Sequence, residues 1–546
     1  MIKKKKLATL LALGLATSIL FTGCGSSNDT DTTTTSSSDS TSSTANDDGS
    51  TTEKELIEID WYIAETWFSP AYESLASQLI EEQTGIKINF ITPIGDANEQ
   101  TNLFIASNSL PDLVTMGWWN SQVQEISIPE YSYSYNELME MAPELGDQLE
   151  QSVLDWYKSD DGYTYAYPCY SVSDSDFEAG LISNRTFLVR KDIYEAIGSP
   201  DMRTQEGFLQ ALEDAKAMFP EALNGDPLIP FGTTEFTTTG NAGLEDTLLE
   251  FLAVPREVDG NVYPVVNGFP DDDYISWLKT FREAHERGLI SVDIFIDDRT
   301  LIEEKIQQGR YFALLYQAKD AMSPLAQLYA NNPDSIYIAV DGPANSNLDS
   351  PQLAVPGYSG WEVTFVSKNT EHAERIAELL AWGFDDERGQ IALYLGQEGV
   401  TYDVIDGKEV IKAEVDELKN NDFSAFKEQY NTYYEYWMFG KTSSLMNWEP
   451  DPVVPFDQYE EWGEGKAAFY GVYDNIAPPA DSDEAEIGTK VNIKWGEILP
   501  KLIQADSDAT FDTLWGELEA YKESVNYDLY LDYIRERVVL NKAKMQ

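Results

Sequence analysis

Apolar and polar positions alternate along this chain with two periods, one of strands and one of helices. Residues 56–63 form a β-favouring run, and Ser69-Pro70 offers a cap and a first-turn proline to a helix with the stripe Tyr72, Leu75, Ala76, Leu79 and Ile80. Gly85 ends that helix. Ile86, Ile88 and Phe90 alternate as a strand, Glu99 to Ser107 reads as helix, and Asp112 to Met116 is a short apolar strand. Strand, helix, strand, helix, strand predicts a parallel sheet covered by helices. The pattern breaks and then resumes. Leu181 to Val189 is strand-like, and Thr204 caps a helix carrying Phe208, Ala211, Leu212, Ala215 and Phe219 on one face. Further strands are expected at Tyr311 to Tyr316 and Trp361 to Val366. A helical stripe follows at Ala373, Ile376, Ala377, Leu380 and Phe384, and the last hundred and fifty residues read mostly as helices and loops.

The first fifty residues follow neither period. Lys3 to Lys6 precede an apolar run from Leu7 to Phe21, which is shorter than the about 20 residues a spanning helix needs and has the layout of a secretory signal. Phe21-Thr22-Gly23-Cys24 closes it and resembles the bacterial lipobox, in which cleavage at residue 23 exposes a cysteine for a diacylglycerol anchor. More than one acyl chain holds a protein stably on a membrane. From Gly25 to about Thr52 the chain is almost wholly Ser, Thr, Asp, Asn and Gly, a flexible tether with a reach of ~30 Å.

Composition narrows the function. Ninety-five acidic residues stand against 37 Lys and Arg, a formal charge of −58 that loss of Lys3 to Lys6 makes more negative, and such a field repels nucleic acid. Two cysteines, Cys24 and Cys169, and two histidines, His285 and His372, are too few for a zinc cluster of usual spacing. With Cys24 acylated, Cys169 has no intramolecular partner. Gly440-Lys441-Thr442 lacks the first glycine of a phosphate loop, since Glu435 stands there, and the formal dinucleotide pattern at Gly463, Gly465 and Ala468 follows no buried strand. Asp174, Asp176 and Glu178 begin like a calcium loop, but Ala179 replaces its glycine and Arg185 its closing glutamate. His285-Glu286 lacks the second histidine of a zinc protease, and Gly357-Tyr358-Ser359-Gly360 lacks the spacing of a nucleophile elbow. No catalytic residue, cofactor or metal is expected.

Several fragments, in order, resemble family 1 extracellular solute-binding lipoproteins of ABC importers, of the sugar-binding type. Thr84-Gly85-Ile86 with Ser107-Asn108-Ser109-Leu110-Pro111-Asp112-Leu113-Val114 is similar to the family's opening "TGI … SGDLPDIV". Asp161 to Pro168 resembles "DGKIYAIP", and Val189 to Ile193 with Gly198 resembles "IRKDWLDKLG". Arg287-Gly288-Leu289-Ile290, Gly396 to Tyr402 with Asp406-Gly407-Lys408, and Trp495 to Pro500 with Phe511 to Trp515 continue the likeness. Asn108 departs from the usual glycine, a mild change because Asn tolerates left-handed backbone, and Thr401 stands where histidine is common.

The resemblance implies an α/β, two-lobed, periplasmic-binding-protein-like fold of type II, with a hinge between lobes that close over a ligand. It places lobe one at 56–168 plus 352–385 and lobe two at 170–350 plus 388–546, with crossovers near Ala166 to Tyr170, at the end of Tyr337 to Val340, and after Phe384. Ligands in open α/β sheets lie outside the carboxyl ends of strands. Glu65 and Trp67, then Trp118, Trp119 and Asn120, then Tyr358 and Trp361 are therefore the candidates of lobe one. Lobe two offers Tyr170, Tyr316, Gln317 and the stretch Tyr433 to Trp437, with Trp437 foremost. Sugar rings present apolar C–H faces to such aromatics, and their hydroxyls bond to Asn, Gln and carboxylates. The adjacent Trp118 and Trp119 cannot both be buried on one face of a strand.

The expectation is an extracellular, lipid-anchored and monomeric protein, on a Gram-positive type of surface, that hands an oligosaccharide to permease subunits. A peptide or other small solute is the alternative ligand. A surface glycoside hydrolase, and an adhesin or sensor, are the alternative classes.

Overall fold

The computed structural model describes residues 55–545, apart from 173–175, 178–179, 259–260, 263–270, 406, 433–435, 449–455 and 480–481. The signal, Cys24 and the tether lie outside the described residues, as do Asp174, Glu178 and Ala179. In chain order the principal strands are β1 (Ile57–Ile63), β2 (Ile86–Ile91), β3 (Leu113–Gly117), β4 (Ser132–Tyr133), β5 (Tyr167–Pro168) and β6 (Arg185–Arg190). They continue with β7 (Ile229–Thr233), β8 (Tyr311–Gln317), β9 (Tyr337–Ala339), β10 (Leu353–Val355), β11 (Glu362–Ser367) and β12 (Ala467–Phe469).

Two sheets result. The first has the order β2-β1-β3-β11-β4, with β5 also pairing β11. Its β1 runs parallel to β2 and β3, as the strand–helix alternation requires, while β11 returns antiparallel beside β3. The second has the order β9-β6-β8-β7, with β8 antiparallel to β6 and parallel to β7. β10 and β12 form a separate parallel pair.

Each sheet has its own aromatic core. In the first, fully buried Trp61 donates from its indole nitrogen to Thr115 Oγ1 at 2.8 Å, and Thr115 meets Thr364 at 2.8 Å, so a central polar contact is satisfied inside apolar packing. In the second, Phe187, Phe208, Phe231, Trp277 and Phe281 interlock, and the long helix Asp483–Ile503 adds Trp495, Ile498, Leu499 and Leu502.

Helix ends follow local chemistry. The first helix spans Leu75–Thr84 and starts five residues later than Ser69-Pro70 predicts, because the Ser74 hydroxyl captures the Ser77 amide and caps it there. Gly85, at φ 69°, closes it as expected. The second-lobe strand is confined to Arg185–Arg190, since Ser183 is spent on loop bonds to Ala354 O and Arg185 N.

The helix Tyr135–Met141 begins with a capping box in which Ser134 and Glu137 satisfy each other's backbone amides. Burial alone would raise the Glu137 carboxyl, but bonds from Lys368 and Ser134 bring it below the ordinary range. Ser134→Ala is expected to cost about 1 kcal/mol, read as a lower denaturation midpoint at unchanged slope.

One boundary moves. Residues after Phe384 were expected to rejoin the second lobe at 388, yet Ala392, Leu393 and Tyr436 to Phe439 pack in the core of the first sheet. Phe439 sets its edge against Trp61 at 5.4 Å, and Gly383 leaves room for the Phe439 ring. The chain makes its last return after this aromatic segment. Trp462 then stacks on Phe251 of the second core at 6.0 Å.

Candidate functional site

The ends of four strands bring the site together. β3 ends at Gly117 opposite Glu362, the first residue of β11, so Trp118 and Trp361 leave the first sheet at one edge. β8 ends at Gln317 opposite Arg185, the first residue of β6, which sets Asn184, Arg185 and Gln317 together at the edge of the second. A cavity of about 690 Å³ is lined from both sheets, by Trp118, Trp119, Asn120 and Trp361 on one side and Asn184, Arg185 and Gln317 on the other. That volume lies within the about 300–1,000 Å³ range of ligand sites.

Its aromatic wall is preformed. Trp118 and Trp119 meet edge to face with ring centroids 5.8 Å apart. Trp119 is 49% exposed and its indole folds back over Gly117, where any side chain would come within 2.4 Å of the ring. Trp361 is backed by Trp67, stacked at 5.8 Å, and by Trp437 at 4.7 Å.

The opposite wall carries paired charges. Arg185 binds Glu250 at 2.8 Å and Arg256 binds the same carboxylate at 2.7 Å, while Arg256 also lies 4.1 Å over the Tyr470 ring. Desolvation pushes Asp474 up to about 7, against the pull of Arg256 and Ser359. Asn184 donates to Gln317 Oε1 at 2.9 Å, which fixes the amide with its own NH₂ left over. Such a wall offers hydrogen bonds without a surplus of either charge.

Five predicted residues, Trp118, Trp119, Asn120, Gln317 and Trp361, line this cavity. Tyr316 and Gln317 line a smaller one beside it. Tyr358 is a core residue instead, because its ring packs against Trp156 at 6.0 Å and edge to face with Phe469 at 5.8 Å. Trp437 is likewise buried, against Phe68, Trp67 and Trp361. Tyr433 to Glu435 lie outside the described residues. Tyr170 packs between Trp361 and Gly440 and meets the Tyr394 hydroxyl at 3.2 Å, so it supports the wall from behind.

Glu65, a candidate ligand residue, lines neither cavity. Its carboxyl meets that of Glu362, whose buried side chain has no other hydrogen-bond partner; desolvation raises the Glu65 carboxyl and, with the Glu65 charge beside it, pushes Glu362 up to about 9. A proton held between them resolves the contact. Nearby Cys169 is buried and its thiol is pushed up strongly, which makes it inert.

The sequence reading missed the cavity's third wall. Tyr470, Tyr473 and Asp474 to Pro478 line it together with Tyr530 and Ile534 of the last helix, Tyr527–Lys544. The only local signal is the density of Tyr, Asn and Asp in 470–475. Among the described residues no cluster of His, Cys, Asp and Glu is arranged to hold a metal, and no helix is long and apolar enough to cross a membrane.

No family model matches the chain. In sequence it is 26% identical over 244 residues to the fructooligosaccharide ABC transporter substrate-binding protein FusA of Streptococcus pneumoniae, covering 41% of this chain and 43% of the relative. It is 24% identical over 281 residues to the melibiose/raffinose/stachyose-binding protein MelE of Bacillus subtilis, covering 51% and 59%. The chain thus spans about half the length of the curated relatives it matches. A solved structure of FusA in complex with fructo-nystose superposes with a TM-score of 0.61 at 17% identity over 89% of this chain and 100% of that one. The alginate-binding protein AlgQ2 superposes with a TM-score of 0.64 at 16% identity over 89% and 98%. The fold is therefore the two-lobed α/β fold of the extracellular solute-binding proteins, and the chain is a sequence relative of two sugar-binding members of that family.

Proposed function

We propose that this protein is the substrate-binding component of an ABC importer and captures an uncharged oligosaccharide between its lobes. The observation that carries the reading is the cavity of about 690 Å³, in which Trp118, Trp119 and Trp361 face Asn184, Gln317 and charge-compensated arginines across the two sheets. Apolar sugar faces pack on the indoles and hydroxyls bond to the amides. An anionic sugar would meet the field of a chain with formal charge −58. The relatives FusA and MelE are named for neutral oligosaccharides, which supports the same choice.

The rest of the assignment follows from sequence. The Cys24 lipobox supports cleavage after residue 23, a lipid anchor and display on the outer face of the cell membrane, with residues 25–54 as tether. Lobe one comprises 56–168 and 352–385, extended to about 448 by the aromatic segment, and lobe two takes 170–350 and the remainder. A monomer leaves each lobe free for one permease subunit. Binding without cutting belongs to the same reading, since the relatives FusA and MelE are named as binding proteins.

A thermal-shift screen of oligosaccharides, with peptides and amino acids as controls, tests the reading. A true ligand at 100 times its Kd adds ~2.7 kcal/mol of stability, and X-ray scattering of the same sample should show a smaller radius of gyration. Shifts confined to peptides would replace the ligand class. The absence of a shift with every solute, or release of shorter sugars, would sink the proposal.

A further inference from the structure

Resting on the oligosaccharide reading, we propose that the cavity of about 310 Å³ beside the main one is a second subsite, which takes a single neutral, hydroxyl-rich sugar unit of the same ligand at a branch or chain end. The two cavities adjoin at two places. Gln317 lines both, and of the consecutive Glu245 and Asp246 the first lines the smaller cavity and the second the larger. Both residues belong to the π-helical turn Gly243–Thr247, which lies between the two cavities.

The side cavity is a built site. Asn241 fixes its loop, accepting from the Leu244 amide at 2.9 Å and donating to Thr234 O at 2.6 Å. Gly240, at φ 140°, lies so close to the Glu245 carboxylate that a Cβ there would collide with it at 1.8 Å. Glu245 in turn accepts from the Asn241 amide and from the Trp495 indole, each at 2.6 Å, so the loop is tied to the core of the second lobe.

The chemistry of the lining selects the occupant. Most of its lining residues are polar, among them Thr234, Thr239, Glu235, Asp320 and Asn492, and Tyr316 is the single aromatic ring. Such a surface bonds hydroxyls and offers one ring for a sugar face. Its one cation, Arg299, is already engaged by Glu303 at 2.8 Å and Asp320 at 3.5 Å, and so is no anchor for a uronate or phosphate. The carboxylates Glu235 and Asp320 add repulsion. The volume, at the lower limit of ligand pockets, suits one sugar unit.

Thr239→Phe places a ring in the side cavity from an exposed position, leaving the main cavity intact; Thr237→Phe does so from a second exposed position. Both variants and the unaltered protein are titrated on an array of neutral and uronate-bearing oligosaccharides graded by length and branching. The expected result is that the phenylalanine variants lose about tenfold or more in affinity for the long or branched neutral glycans, and keep the affinity of the unaltered protein for short ones. Equal affinity of variants and unaltered protein for every glycan would overturn the second subsite. Equal weakening on short and long glycans would do the same. Tightest binding of uronate-terminated glycans would overturn the neutral assignment. Retention of no oligosaccharide by the unaltered protein would instead remove the sugar reading on which the subsite rests.

Discussion

Replacing Trp118 and Trp119 together by alanine is expected to weaken oligosaccharide capture by at least about 100-fold. A buried aromatic anchor at the centre of a binding surface typically contributes about 2 kcal/mol or more, and two adjoining anchors exceed 2.7 kcal/mol even when they are not additive. The rings are already in place: Trp119 rests on Gly117, and Trp118 closes its edge against it. Little reorganisation of these rings opposes the ligand, so their contacts are not offset by a cost of ordering them. The fold should survive, because Trp119 is half exposed and Trp118 packs only at the margin of the core around Tyr62 and Val114. Calorimetric titration and a melting curve on the same double variant separate the two. An affinity within tenfold of the unaltered protein would move the ligand away from this wall.

The second large effect is on stability and concerns Glu362. Its carboxyl keeps a proton in the folded chain at pH values where an unfolded carboxyl, near 4.5, has released it. The folded state then binds more protons than the unfolded one, so stability falls as pH rises from about 4.5 upward. Within that window each pH unit removes up to about 1.4 kcal/mol, and below it the contribution is complete. Glu362→Gln replaces the shared proton by an amide that donates to Glu65 at every pH. The variant should therefore melt higher than the unaltered protein at about pH 8, match it near about pH 4, and show a flatter curve between them. A slope unchanged by the substitution would place the titrating group elsewhere.

Much of this fold is written in short-range pattern. The strands at 57–63, 86–91 and 113–117, the helix at 205–218 behind Thr204, and the helix at 373–383 were legible because their stripes and caps are local. The same holds for Trp118, Trp119, Trp361 and Gln317, which stand at strand ends where topology alone directs them to the cavity. Tyr358 and Trp437 also stand near strand ends or in aromatic stretches, but their burial depends on Trp156, Phe469 and Phe68, none of which is a sequence neighbour of either. The wall at 470–478 is set from still further away. Asn541 of the last helix donates to Val472 O and Asp474 O and holds that loop, a contact across 67 to 69 residues that no periodicity announces.

The position of β11 has a consequence for how the chain comes to be folded. This strand lies in the interior of the first sheet, between β3 and β4, and its Thr364 bonds Thr115 across 249 residues. A chain emerging from its amino end thus displays β1 to β4 with a gap at the middle of the sheet until Ser367 has appeared, and the aromatic plug that ends at Phe439 arrives later still. Closing so long a loop is slow, and the open sheet edges are exposed meanwhile. Threading of this kind keeps the first sheet of the newly made polypeptide loose until late in its synthesis. Passage across a membrane before folding demands that same looseness.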